Sequence, residues 1–212
     1  MKAVIEVIAN DEKSALREMD QLFGKMIYKV KSRFVIGMTF LGDSNLSLME
    51  FRVAVNIKNV NNIKSKLDKI TMYNWWPYDQ YIKEHSDLLI DSENINKILE
   101  FCSPTSIEHI IKETTPKTNE HTKSLISHHI MRLIKETRFQ NNDLILKYLR
   151  FTMNSSHAEE KGTKRDIMKL IPHIDKTIIN DVISMIDSNT PIEAKIALSK
   201  HRETLNPEPF KL

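Results

Sequence analysis

The sequence predicts an α+β protein in which a layer of strands and helices precedes an all-helical half. Three observations carry that expectation. Apolar residues alternate with polar ones over 49–57, the signature of a half-buried strand. From about residue 92 onward they recur instead at spacings of three and four, the helical period. Between these regimes, Tyr73, Trp75, Trp76, Tyr78 and Tyr81 crowd around Pro77 and mark a joint.

Taken in order, Lys2 to Ala9 is β-rich and stops at Asn10-Asp11, side chains suited to starting a helix. Leu16, Met19, Phe23, Met26, Ile27 and Val30 then form the apolar stripe of a helix over about 11–30. Arg33 to Leu41 reads as a strand with Phe34, Ile36, Met38 and Phe40 on one face, followed by a Gly42-Asp43-Ser44-Asn45 turn. In the next strand Met49, Phe51, Val53, Val55 and Ile57 face a core, while Glu50, Arg52, Asn56 and Lys58 face water. Ile63, Leu67 and Ile70 stripe a second helix. The order βαββα predicts a ferredoxin-like layer whose last strand is missing or irregular. The expected organisation is an α/β domain over 1–90, with its aromatic joint at 73–90, and a helical C-terminal bundle over 91–212.

The joint has two readings. Large rings beside a domain junction are usually core. The core reading is the favoured one; the alternative is a partner-binding patch, since Trp75, Trp76 and Tyr78 are residue types that dominate interface hot spots. In the helical half, the spacings Thr105-x-x-Glu108, Thr163-x-x-Asp166 and Thr190-x-x-Glu193 predict capped helix starts. Stripes at Ile95/Ile98/Leu99, Ile126/Ile130/Leu133/Ile134 and Leu144/Ile145/Tyr148/Leu149 mark helices between them, and the tail after Asn206, with Pro207 and Pro209, is expected to be extended.

With 41% hydrophobic and 28% charged residues the chain is expected to be globular. No apolar run reaches the roughly 18 residues of a membrane span. Glu6 interrupts the first apolar stretch, which argues against a signal peptide, and the lone Cys102 excludes an internal disulfide framework, so a cytoplasmic location is expected. The net charge of +3 lies wholly in the second half: residues 1–100 hold 14 Lys+Arg against 14 Asp+Glu, residues 101–212 hold 17 against 14. A positive balance confined to one half directs the search for a polyanion site there.

The segment from Gly162 to Ile186 supplies a candidate. Ile167, Leu170 and Ile171 stripe a first helix, Ile174 plugs a short turn, and Asp175 caps a second helix whose Ile178, Ile179, Val182, Ile183 and Ile186 face inward. This pattern resembles a helix-turn-helix of the winged-helix type, over these residues only. The resemblance implies that Lys176, Thr177, Asn180 and Ser184 face a DNA groove, and that Lys161, Lys164, Arg165 and Lys169 neutralise phosphates. It also implies that the helix near 142–153 is the scaffold. The alternative is an ordinary helical hairpin, since such spacing recurs in many bundles. A second basic surface comes from His128, Arg132 and Lys135, at i, i+4 and i+7 of the helix near 119–138, which also suits a plain solvated face.

Other chemistries find no support. Gly37 to Gly42 has P-loop glycine spacing but continues Asp43-Ser44, without the phosphate-binding lysine. Cys102, His109, His121, His128 and His129 lack paired ligand spacing, so no metal or other cofactor is expected. Cys102 has no local orienting residue for catalysis and suits a small core position. The strand over 46–58 lacks the aromatic series that stacks RNA bases. The expected function is therefore non-enzymatic nucleic-acid binding, DNA before RNA and regulatory in role, with a protein partner or second copy as a further contact. The alternative is a protein-interaction or assembly factor docking through its helical half and the aromatic segment.

Overall fold

Strand β1 (Lys2–Ala9) lies inside the sheet that four strands form among the described residues of the computed structural model. The structure describes residues 1–23 (Leu22 by its backbone only), 33–41, 48–57, 67, 74–115, 117–153, 155, 158 and 160–206. The expected turn at 42–45, most of the helix expected around 63–70, the second half of the helix expected over 11–30, Tyr73 and the tail from 207 lie outside them. The chain divides into two compact units, Met1–Thr122 and Lys123–Leu212. Residues 91–122, assigned from sequence to the helical half, therefore group with the sheet.

In the first unit β1 is followed by α1 (Glu12–Phe23), β2 (Arg33–Phe40), β3 (Met49–Asn56), β4 (Trp75–Pro77), α2 (Tyr78–Leu89), α3 (Ile95–Phe101) and α4 (Pro104–Glu113). The strands lie in the order β2-β3-β1-β4, every neighbouring pair antiparallel. The fold is α+β. Asp11 starts α1 as expected: its carboxylate accepts from the backbone N–H and hydroxyl of Ser14, both at 2.8 Å. Ala15, Met19 and Phe23 of α1 then pack with Ile5, Val7, Phe51, Val53 and Val55 on one sheet face.

Three expectations are corrected in this unit. First, β2 does not keep Phe34, Ile36, Met38 and Phe40 on one face. A bulge between Val35 and Gly37 inserts one residue against β3 and resets the alternation. Phe34 faces Phe101, 5.1 Å away, whereas Met38 and Phe40 are 67% and 62% exposed. Second, the missing fourth strand lies within the joint: Trp75, Trp76 and Pro77 pair with Ile5, Val4 and Ala3. Third, Tyr78 is 1% exposed, with its hydroxyl donating to the Ile98 carbonyl at 2.9 Å and its ring 5.3 Å from Phe101. A partner cannot reach it. Trp75 and Trp76 are half-buried; Trp75 packs on the α1-side core and Trp76 meets Tyr81 and His85 edge-on.

The start of α4 is displaced from Thr105 to Ser103. Pro104 is preset for the first helical position, which makes Ser103 the cap. Ser106 N–H donates to Ser103 Oγ at 3.1 Å and Ser103 N–H to Ser106 Oγ at 2.7 Å. Cys102, just before this cap, is buried, and burial pushes its thiol up to about 12. Such a thiol is neutral and a poor nucleophile at pH 7.

The second unit contains most of α5 (Glu120–Glu136), then α6 (Asn142–Thr152), α7 (Lys161–Leu170), a 3₁₀ turn (Ile171–His173), α8 (Ile179–Ser184) and α9 (Ile192–Leu205). Its buried side chains include Ile126, Ile130, Leu144, Leu149, Ile167, Leu170, Ile179, Val182 and Leu198. Helix α6 packs against both α7 and α8, and α9 packs against α7. No helix among the described residues is long and apolar enough to cross a membrane.

Candidate nucleic-acid interface

The geometry of the 162–187 segment follows from where its first helix begins. Helix α7 starts at Lys161 with Glu160 at the cap position, so Thr163 lies inside the first turn rather than capping it. The earlier start places Lys161, Arg165 and Lys169 at i, i+4 and i+8, and all three are exposed. Ile167 and Leu170 are buried on the opposite face. Met168 points outward instead of separating the helices.

Lys164 stands apart from this row. It is half-buried, and its Nζ lies 2.5 Å from Glu193 Oε1 of α9. The hydrogen bond from Lys164 holds the Glu193 carboxyl below its usual range. The Lys164 charge is thus compensated within the protein and is removed from the set of expected phosphate contacts. Arg165 Nε lies 3.6 Å from Asp166 Oδ1, a looser pairing on an exposed side chain.

The turn is tied down by residues distant in sequence. Ile174 is buried, and His201 of α9 hydrogen-bonds its carbonyl at 2.6 Å. Asp175 Oδ1 accepts from the backbone N–H of Thr177 at 2.8 Å and from its hydroxyl at 2.5 Å. Asn142 Nδ2 donates to Asp175 Oδ2 at 2.5 Å and to Thr177 Oγ1 at 3.3 Å. These bonds, the Thr177 hydroxyl first, keep the Asp175 carboxyl below the ordinary value of 3.8. Phe139 stacks on His173 at 4.4 Å and 14°. Phe139 and Arg138 both adopt left-handed backbone conformations, φ 61° and 51°, which non-glycine residues enter at a cost.

Asp175 does not cap the second helix as expected: the helix begins at Ile179 with Ile178 at the cap position and no side-chain cap bond. Asp175 instead closes the preceding turn, its carbonyl accepting from Ile178 and Ile179 N–H at 3.3 and 3.1 Å. The regular helix spans only six residues, Ile179–Ser184, and Ile183 and Ile186 are half-buried rather than core. Lys176, Thr177, Asn180 and Ser184 are all exposed. Of these, Thr177 is engaged by Asp175 and Asn142, and the Ser184 hydroxyl donates to the Asp181 carbonyl at 2.7 Å. Lys176 and Asn180 are the side chains most available to an outside molecule, with the exposed Asp181 beside them.

On α5, His128 and Lys135 are exposed, but Arg132 is half-buried. Its guanidinium lies 3.6 Å from Glu136 and meets His129 Nδ1 at 3.2 Å, so the middle of that stripe is committed internally. Sequence reasoning missed Asn142, Glu193 and His201, which lie 33, 29 and 27 residues from the groups they hold. No family model, curated protein or solved structure matches the chain.

Proposed function

We propose that this is a non-enzymatic DNA-binding protein of regulatory type, with α7, the turn and α8 acting as a helix-turn-helix and α6 as their scaffold. The observation that carries the reading is the exposed cationic row Lys161, Arg165 and Lys169, followed across a braced turn by exposed Lys176 and Asn180. The row suits phosphates and the short helix suits base edges. Thr177 contributes by holding the turn, and Ser184, His128 and Lys135 lie at the margin of the contact. DNA is preferred over RNA because the strand over 46–58 presents Glu50, Arg52 and Asn56 rather than an aromatic series that stacks bases.

The finer architecture belongs to the same proposal. The order β2-β3-β1-β4 supports a ferredoxin-like layer, and the helices of 123–205 support a C-terminal bundle. A cytoplasmic setting suits the buried, neutral thiol of Cys102. The second reading, an assembly factor docking through its helical half, draws support from Ile192 and Ile196, 67% and 51% exposed one turn apart on α9.

Fluorescence anisotropy with a labelled DNA duplex tests the function. Binding at about 50 mM salt that weakens steeply by about 200 mM is expected. No binding at the lower salt contradicts it.

A further inference from the structure

Among the described residues, the two edges of the sheet differ in kind. Edge strand β4 has three residues and ends in Pro77, which offers no backbone donor. Edge strand β2 has eight, and from Phe34 to Leu41 it carries no charge, the usual means of blocking an edge.

The hydrogen-bond phase of β2 identifies its open groups. Leu41 N–H donates to the Leu48 carbonyl at 3.1 Å. Backbone groups alternate toward and away from the neighbour along an antiparallel strand. Thr39 and Leu41 therefore face β3, and Met38 and Phe40 direct their own N–H and C=O outward. These are also the two most exposed apolar side chains of the strand. Both pair with the core-facing Phe51 and Met49, so they stand on the α1 side of the sheet.

Beside this edge lies a recess of about 480 Å³ lined by Glu12, Lys13, Leu16, Arg17, Asp20 and Arg33. Arg33 opens β2; its side chain is only 9% exposed, donates to the Leu16 carbonyl at 3.1 Å and bonds Asp20, neutralising that carboxylate. Its buried Nε has no hydrogen-bond partner among the described residues. Lys13 and Arg17 are exposed and in no ion pair among the described residues; with Arg33 they make three cations in the lining against Glu12 and Asp20, and Asp11, whose carboxylate feels Arg17, lies just outside it. Ala9 and Phe40 both pair with Met49, so α1 begins at the end of the sheet where Phe40 lies, with Lys13 in its first turn.

We propose that β2 accepts an extended peptide as a fifth strand, with backbone bonds to Met38 and Phe40, apolar side chains against their side chains, and a carboxylate directed to Lys13 and Arg17. Main-chain pairing supplies affinity and the alternate side chains supply selectivity, the usual division in strand addition. The one-charge positive excess of the recess lining selects the carboxylate of an acidic side chain.

The test pans random peptides matching the eight residues of β2 against the full chain, displayed once with a free C-terminus and once fused at both ends. Enrichment of alternating apolar sequences with Asp or Glu in both formats is expected; enrichment in the free format alone assigns the carboxylate to a chain terminus and overturns the proposal. An enriched peptide is expected to bind Phe40→Pro at least about tenfold more weakly than Phe40→Ala, because only proline also removes the amide donor. Arg17→Glu, on an exposed helix face, is expected to weaken binding similarly while leaving the circular dichroism unchanged, and keeps the test valid should Phe40→Pro misfold. Equal binding to wild type and Arg17→Glu overturns the proposal, as does the absence of enrichment. A dimer that Phe40→Pro dissociates also overturns it, assigning the edge to a second copy.

Discussion

Removing the exposed row Lys161, Arg165 and Lys169 together is the perturbation that bears most directly on the DNA-binding proposal. Four exposed cations, these three and Lys176, stand on the α7–α8 segment without the tight internal pairing of Lys164. Each phosphate contact contributes about 0.9 to the slope of log affinity against log salt, so the wild type is predicted at about −3.6 and the triple alanine variant at about −0.9. From about 50 to about 200 mM salt the wild type then loses about 150-fold in affinity and the variant about 3.5-fold. Anisotropy titrations on one duplex at four salt concentrations measure both slopes. Lys164→Ala is the internal control: its ammonium already faces Glu193, so its slope is predicted to match wild type. Equal slopes for wild type and the triple variant, or a Lys164→Ala slope flatter than wild type by the about 0.9 of one phosphate contact, would refute the reasoning.

Other predictions concern the packing that positions these groups. Tyr78→Phe is predicted to cost about 1 kcal/mol in urea unfolding, the net worth of a buried hydrogen bond, and Tyr78→Ala about 3–5 kcal/mol; unchanged stability would show the ring is not core. Cys102 is predicted to resist iodoacetamide at neutral pH in the native protein and to react once denatured; rapid native labelling would contradict its burial. Asp11, Asp175 and Glu193 are all held below their ordinary values, by bonds from Ser14, from Thr177 and from Lys164 respectively. Their folded-state pKa values lie below the unfolded ones, so their stabilisation is present above the unfolded values of about 4 and is lost as pH falls through the folded values. Acid titration by circular dichroism is predicted to show a transition below about pH 4 that is smaller in Asp175→Asn, whose amide still caps the turn.

The elements that sequence patterns reached were those built from local repetition. The alternation from Phe51 to Ile57 placed β3 correctly because burial on one face imposes period two. The same logic failed in β2, where the apolar series Phe34, Ile36, Met38, Phe40 runs unbroken through a bulge. The side chain of Arg52 lies over Gly37, where an added Cβ would come within 3.9 Å of its Nη1, a cross-strand relation that no local pattern encodes. Strand β4 was hidden because three residues are too few to show a period. The cap at Ser103 was outranked by a box-like spacing at Thr105, although Pro104 already marked the true first position. In the candidate interface the exposed side chains were legible as the complement of the isoleucine stripe. The groups that brace or neutralise them, Asn142 on Asp175 and Glu193 on Lys164, were not, because those pairings depend on how the helices pack.

The most direct measurement is heteronuclear NMR of the full chain titrated with duplex DNA at low salt. The account predicts that amide shifts concentrate at 161–169 and 175–184 while 33–41 stay unperturbed. Shifts confined to residues before 123, or none at saturating duplex, would contradict it.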